Sequence, residues 1–133
     1  MKKIDVAIAL VQHKDKFLIL QRQNDAWTFP SGKVPIGERL RDGALREVKE
    51  ETGVDASIKR YLGKVETEDV NLHYFHCDYI AGDAHLAEPD KFKAFHWATR
   101  DQIRSVTGAS LSSVVAEFFV KNAKQSQMRK NLG

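Results

Sequence analysis

Residues 32–54 read GKVPIGERLRDGALREVKEETGV, and few folds accommodate such a stretch. From about Arg39 to Thr52 it lacks proline and is built mostly of good helix formers, while Gly53 falls where a left-handed residue ends a helix. A helix is predicted there. Side chains advance by about 100° per residue around a helix, so Glu47, Glu50 and Glu51 share one face and Ala44, Leu45 and Val48 occupy the adjoining arc. The acidic face therefore borders the buried one, at the rim of a groove.

Carboxylates spaced i, i+3 and i+4 repel by a few tenths of a kcal/mol per pair, and burial raises that cost. A hard divalent cation is the natural compensation, because Mg²⁺ takes oxygen ligands and is shared between carboxylates and substrate phosphates. Arg46 stands one residue before the triad, where its planar fork suits a bidentate carboxylate pair. The alternative is a solvated charged helix face, and the spaced Gly32, Glu38 and Gly53 speak against it. Seven specified letters (Gly32, Glu38, Arg46, Glu47, Glu50, Glu51, Gly53) at roughly one chance in fifteen each coincide on the order of once in 10⁸ starting positions.

With those residues in place, the segment resembles the Nudix box: Gly, five residues, Glu, seven residues, Arg-Glu, a hydrophobic residue, any residue, Glu-Glu, any residue, Gly, a hydrophobic residue. Every specified position matches, and Trp27-Thr28-Phe29-Pro30-Ser31 resembles the family's lead-in strand and turn. Two departures stand out: Ser31 replaces a glycine that usually precedes the box, and Pro35 stands where a glutamate is more frequent. The specific likeness covers roughly residues 4–54. It implies an α/β (α+β) fold, an α/β/α sandwich with a mixed sheet, and metal-dependent hydrolysis of a diphosphate linkage in a nucleoside diphosphate derivative. By residue-wise transfer Glu50 and Glu51 are metal ligands, joined by the Ser31 carbonyl. Glu47 is a ligand or the general base, Arg46 orients it, and Glu38 supports the cluster. Glu88 is the candidate for a further acid from a later loop. The implied cofactor is Mg²⁺ or Mn²⁺.

The rest of the chain agrees with one catalytic domain over residues 1–133, with a basic tail from about residue 125. At 133 residues and 42% hydrophobic content it can bury a real core, and no apolar run is long enough for a membrane span. The N-terminus lacks a signal-peptide pattern, so a soluble cytoplasmic protein is expected, without a membrane partner. The net charge of +3 resides in the tail, since Lys121, Lys124, Arg129 and Lys130 make residues 121–133 +4 with no acid. A nucleic-acid partner is therefore not expected, and the tail reads as solvated. The single Cys77 alternates with Phe75 and Tyr79 as a buried strand residue would. Apolar periodicity places strands at Ile4–Val11, Phe17–Gln21, Ile58–Val65, Leu72–Ile80 and Phe92–Trp97, with a turn at Gln12–Lys16. A short helix after Thr99 and a longer one near Ser110–Lys124 complete the pattern.

Substrate choice is less legible. Arg22 resembles an arginine that many family members direct at substrate, and a strand-end salt bridge is its other reading. Trp27, Phe29 and Tyr74, with Phe75, are candidates to stack on a base, or else core residues. His73 and His76 lack the partners a zinc site needs. The absence of proline between Gly53 and Pro89 argues against the downstream signatures of members acting on ADP-ribose or NADH. A nucleoside triphosphate, standard or oxidised, cleaved to the monophosphate and pyrophosphate, is the expected substrate. ADP-ribose, dinucleoside polyphosphates and nucleotide sugars stay open, as do a pyrophosphohydrolase of RNA 5′ ends, a non-catalytic nucleotide sensor, and a homodimer.

Overall fold

The computed structural model describes residues 3–107 and 111–132, with side chains as far as Asn122. The chain runs β1 (Ile4–His13), β2 (Lys16–Arg22), β3 (Trp27–Thr28), β4 (Ser31–Val34), α1 (Leu40–Thr52), β5 (Asp55–Glu66), β6 (Val70–Ala81), β7 (Phe92–Thr99), α2 (Arg100–Thr107) and α3 (Ser113–Leu132). The strands form one mixed sheet ordered β3-β2-β1-β6-β5, with β4 on β1 and β7 on β2.

The expected strands are all present and each is longer at one or both ends. The turn placed at Gln12–Lys16 shrinks to Lys14-Asp15, because His13 and Lys16 still pair and Lys14 takes a left-handed φ of 59°. The segment from about residue 125, expected as a tail beyond the last helix, has its backbone on α3.

Strand β1 organises the molecule. It runs parallel to β6 from Ile4 to Gln12, and its residues 7–11 are buried without interruption, as a strand covered on both faces requires. On its other edge the first half pairs with β4 and only Gln12 and His13 reach β2, so β1 and β2 diverge. Alternation along the strand then sorts two cores. Ala7, Ala9 and Val11 pack with Ala44 and Val48 of α1, the small alanines belonging to the face that the helix covers. Ile8 and Leu10 pack with Ile103 of α2 and Val115, Phe118 and Phe119 of α3. This is the α/β/α sandwich.

Candidate active site

Helix α1 ends as its sequence requires. Gly53 adopts φ 75°, its N–H donates to the Lys49 carbonyl at 2.9 Å, and the box acids lie in the last two turns. Glu47 and Glu51 are buried, at 9% and 3% exposure, whereas Glu50 stays near solvent. Gly32 explains the first letter of the box: a Cβ there would occupy the same space as the Glu47 carboxyl group, so only glycine lets β4 pass so close to it. One residue earlier the Ser31 N–H donates to Glu51 Oε1 at 3.0 Å.

Arg46 ties these parts together. Its Nε and Nη2 both donate to the Glu38 carboxylate at 2.9 Å, a bidentate pair with the loop before α1. Nη1 reaches Glu47 at 2.9 Å and Glu50 at 3.2 Å, and Nη2 also donates to the Lys33 carbonyl. The Glu38 carboxyl is held below its usual pKa by the Arg46 hydrogen bonds, and the guanidinium is raised chiefly by Glu38.

A fifth acid arrives from a distant loop. Residues 82–91 cross the C-terminal end of α1, where the His85 N–H donates to the Thr52 carbonyl at 3.0 Å and the Ala87 N–H to the Glu51 carbonyl at 3.2 Å. This strap brings Glu88 close enough that its charge acts on both Glu47 and Glu51. Glu88 Oε1 is buried without a hydrogen-bond partner, and Oε2 faces Lys91 Nζ at 3.4 Å. Burial pushes the Glu51 carboxyl up to about 8; the Ser31 N–H opposes this, Glu47 and Glu88 reinforce it, and Lys91 opposes it. Glu47 is raised for the same main reason, with Arg46 as the chief opposing influence.

Two buried carboxylates and a half-buried one with an orphaned oxygen, under mutual repulsion, form a donor set suited in kind to a hard cation. Among the described residues no three acids already surround one point at ligand spacing, because Arg46 bridges Glu47 and Glu50 while Ser31 engages Glu51. The residues present fit Mg²⁺ or Mn²⁺ in kind and number, with the guanidinium and the amide carrying the charge balance in this form.

On the opposite face of the sheet, the divergence of β1 and β2 leaves a cavity of about 140 Å³ lined by Ile8, Ile19, Trp27, Phe29 and Tyr74 and closed by α2 and α3. Three of the five candidate substrate contacts, Trp27, Phe29 and Tyr74, thus share one pocket. Arg22 is not among its lining residues, and Phe75 packs in the core beneath α1. Neither histidine stands among metal donors: His73 bonds Asp5 and Tyr61, each at 3.0 Å, and His76 bonds Gln12 at 2.7 Å. Cys77 is fully buried, and burial pushes its thiol up to about 12, far from a nucleophile's range. Sequence reasoning missed Lys91 beside Glu88 and His85 against Gly53. No local signal marks either, since both depend on where the strap crosses α1.

A carboxylate cluster centred on one helix of an α/β/α sandwich, with an apolar pocket across the sheet, is consistent with a phosphoanhydride hydrolase. The NUDIX domain pattern matches residues 1–118, and the chain belongs to the Nudix family. Within it the chain is a pyrophosphohydrolase acting on nucleotide derivatives. It is 33% identical over 111 residues to the CTP pyrophosphohydrolase of Escherichia coli, covering 77% of this chain and 80% of that protein. A putative 8-oxo-dGTP diphosphatase of Bacillus subtilis is 32% identical over 97 residues, 70% of this chain and 64% of its own. Relatives that align over shorter stretches are named for ADP-ribose and for RNA. The NUDIX hydrolase of Nitrosomonas europaea superposes with a TM-score of 0.82 over 93% of this chain and 74% of its own, at 14% identity, a likeness of fold.

Proposed function

We propose that the chain, as a single catalytic domain, hydrolyses nucleoside triphosphates to the monophosphate and pyrophosphate with Mg²⁺ or Mn²⁺. The observation that carries this is the convergence of buried Glu47 and Glu51 with half-buried Glu88, one of whose oxygens is buried and unsatisfied, on the face opposite an aromatic pocket that suits a single base. Glu50, Glu51 and the Ser31 carbonyl would hold the ion, with Glu47 as a further ligand or as the general base, and the ion would supply charge neutralisation at the phosphates and a more acidic water. The water oxygen bonds to phosphorus as the anhydride P–O bond breaks and pyrophosphate leaves; the proton passes to Glu47 or Glu88. Arg46, fixed by Glu38, holds the Glu47 carboxylate in orientation.

Recognition falls to Trp27, Phe29 and Tyr74. The Tyr74 hydroxyl makes no hydrogen bond among the described residues and lines the pocket, which leaves it available to the edge of a base. The relatives named for CTP and 8-oxo-dGTP support a triphosphate over ADP-ribose. Initial rates on CTP, the other standard and oxidised nucleoside triphosphates, ADP-ribose, dinucleoside polyphosphates, nucleotide sugars and triphosphorylated RNA test the reading. A triphosphate should give the highest kcat/KM with pyrophosphate as product; preference for ADP-ribose or RNA would reassign the substrate, and no turnover on any would favour a binding module.

A further inference from the structure

Beside the N-terminal end of α1 and the edge strand β5 lies an open groove of about 720 Å³ that includes Arg39, Arg41, Lys59, Arg60 and Tyr61 in its lining. Its only acid, Glu38, is already committed to Arg46. None of the four cations has an ion pair or side-chain hydrogen bond among the described residues. Unpaired cations occur elsewhere among the described residues, as at Lys14, Lys16, Arg22 and Lys33, but here four of them line one groove.

The arrangement works against stability in three ways. Arg39 occupies the N-cap of α1 without a capping hydrogen bond, at a position where serine or aspartate stabilises. Arg41 adds a second positive charge at the positive end of the helix dipole, with Asp42 as the only acid in that turn. On β5 the ladder shifts register between Ile58 and Arg60, so Lys59 is an extra residue in the strand, and this bulge lets two consecutive cations line one groove. An anion in the groove relieves all three.

Tyr61 supplies the second half of the recognition. Its ring is 46% exposed, yet its hydroxyl is fixed by His73 Nδ1 at 3.0 Å, and His73 Nε2 is fixed in turn by Asp5 at 3.0 Å. An exposed aromatic side chain held in place through the buried His73 ring is a preformed stacking platform. We propose that this groove is a second, non-hydrolytic site for a nucleoside polyphosphate, its phosphates on Arg39, Arg41, Lys59 and Arg60 and its base on Tyr61. The proposal stands apart from the reading of the carboxylate site.

The test uses the full chain in EDTA, which halts turnover, with α,β-methylene-ATP, inorganic tripolyphosphate and a short single-stranded RNA lacking a 5′ phosphate as probes. Amide resonances of residues 58–61 should shift with the nucleotide and with tripolyphosphate. Arg41→Ala/Arg60→Ala should weaken both by about tenfold or more by calorimetry, more so at low salt. Tyr61→Leu should weaken the nucleotide alone. If the double variant melts early, Lys59→Gln/Arg60→Gln serves in its place. Shifts that spare β5, affinities unchanged in either double variant, or tighter binding of RNA than of nucleotide would overturn the proposal, the last in favour of a strand-binding surface.

Discussion

Glu51 is the most deeply buried acid of α1, and its ionisation is the most strongly opposed. Replacing it by glutamine keeps the shape and the Ser31 contact while removing the charge. Glu51→Gln is therefore expected to lower kcat on the order of 10²–10³-fold while the metal-free protein melts no earlier than the parent. Steady-state kinetics and thermal melts measure the two effects separately, and full activity in the variant would end the assignment of Glu51 as a ligand. Tyr74→Phe removes one hydroxyl from the wall of the aromatic pocket. It should alter the ratio of kcat/KM between bases several-fold and leave hydrolysis of the preferred substrate fast, because discrimination by a buried hydroxyl depends on the partner left unpaired. An unchanged base preference would move recognition away from this residue.

Helix α1 and the strap over its end act as one element. A Cβ on Gly53 would run into the His85 ring and Gly53 holds a left-handed backbone, so Gly53→Ala should cost about 1–2 kcal/mol and shift the loop that carries Glu88. A denaturant midpoint and the hydrolysis rate should fall together; loss of stability with undiminished turnover would show that the strap does not position Glu88. Strand β6 carries a different sensitivity in His76. Its ring lies 4.6 Å from Phe118 and is 4% exposed, and its pKa is pushed down to about 4, mainly by burial, with Lys59 and Arg60 adding and Asp78 opposing. Unfolded, it protonates near 6.5, so between those values the unfolded chain binds more protons and stability rises with pH. Acidification through that window should cost up to about 3 kcal/mol, and His76→Gln should flatten the dependence of melting temperature on pH. An equally steep profile in the variant would assign acid sensitivity to other groups.

Over the whole molecule, the repulsion stored among Glu47, Glu51 and Glu88 predicts that Mg²⁺ or Mn²⁺ raises the melting temperature as it binds the native state alone. Calorimetric scans with and without EDTA should show the shift in the parent and a smaller one in Glu51→Gln, and chelation should stop hydrolysis without unfolding the chain. How much of this was legible in the sequence follows from the range of each interaction. The helix, its glycine stop and the shared face of Glu47, Glu50 and Glu51 depend on neighbours within a few residues, and they were readable as such. The parallel pairing of Ile4–Gln12 with Val70–Asp78, the crossing of Glu88 over α1 and the bulge at Lys59 depend on distant chain segments meeting, for which no local pattern exists. Glu88 entered only by family likeness, and Lys91 not at all. The alternation along β1 and β6 has one more use. Ile8 and Tyr74 face the pocket while Ala7, Ala9 and Phe75 pack beneath α1, so on the proposed function the parity of a position separates recognition from chemistry. A library confined to the pocket-facing parity is then expected to retune the choice of base while leaving the proposed bond-breaking residues as they stand, which would give this sheet two independently adjustable sides.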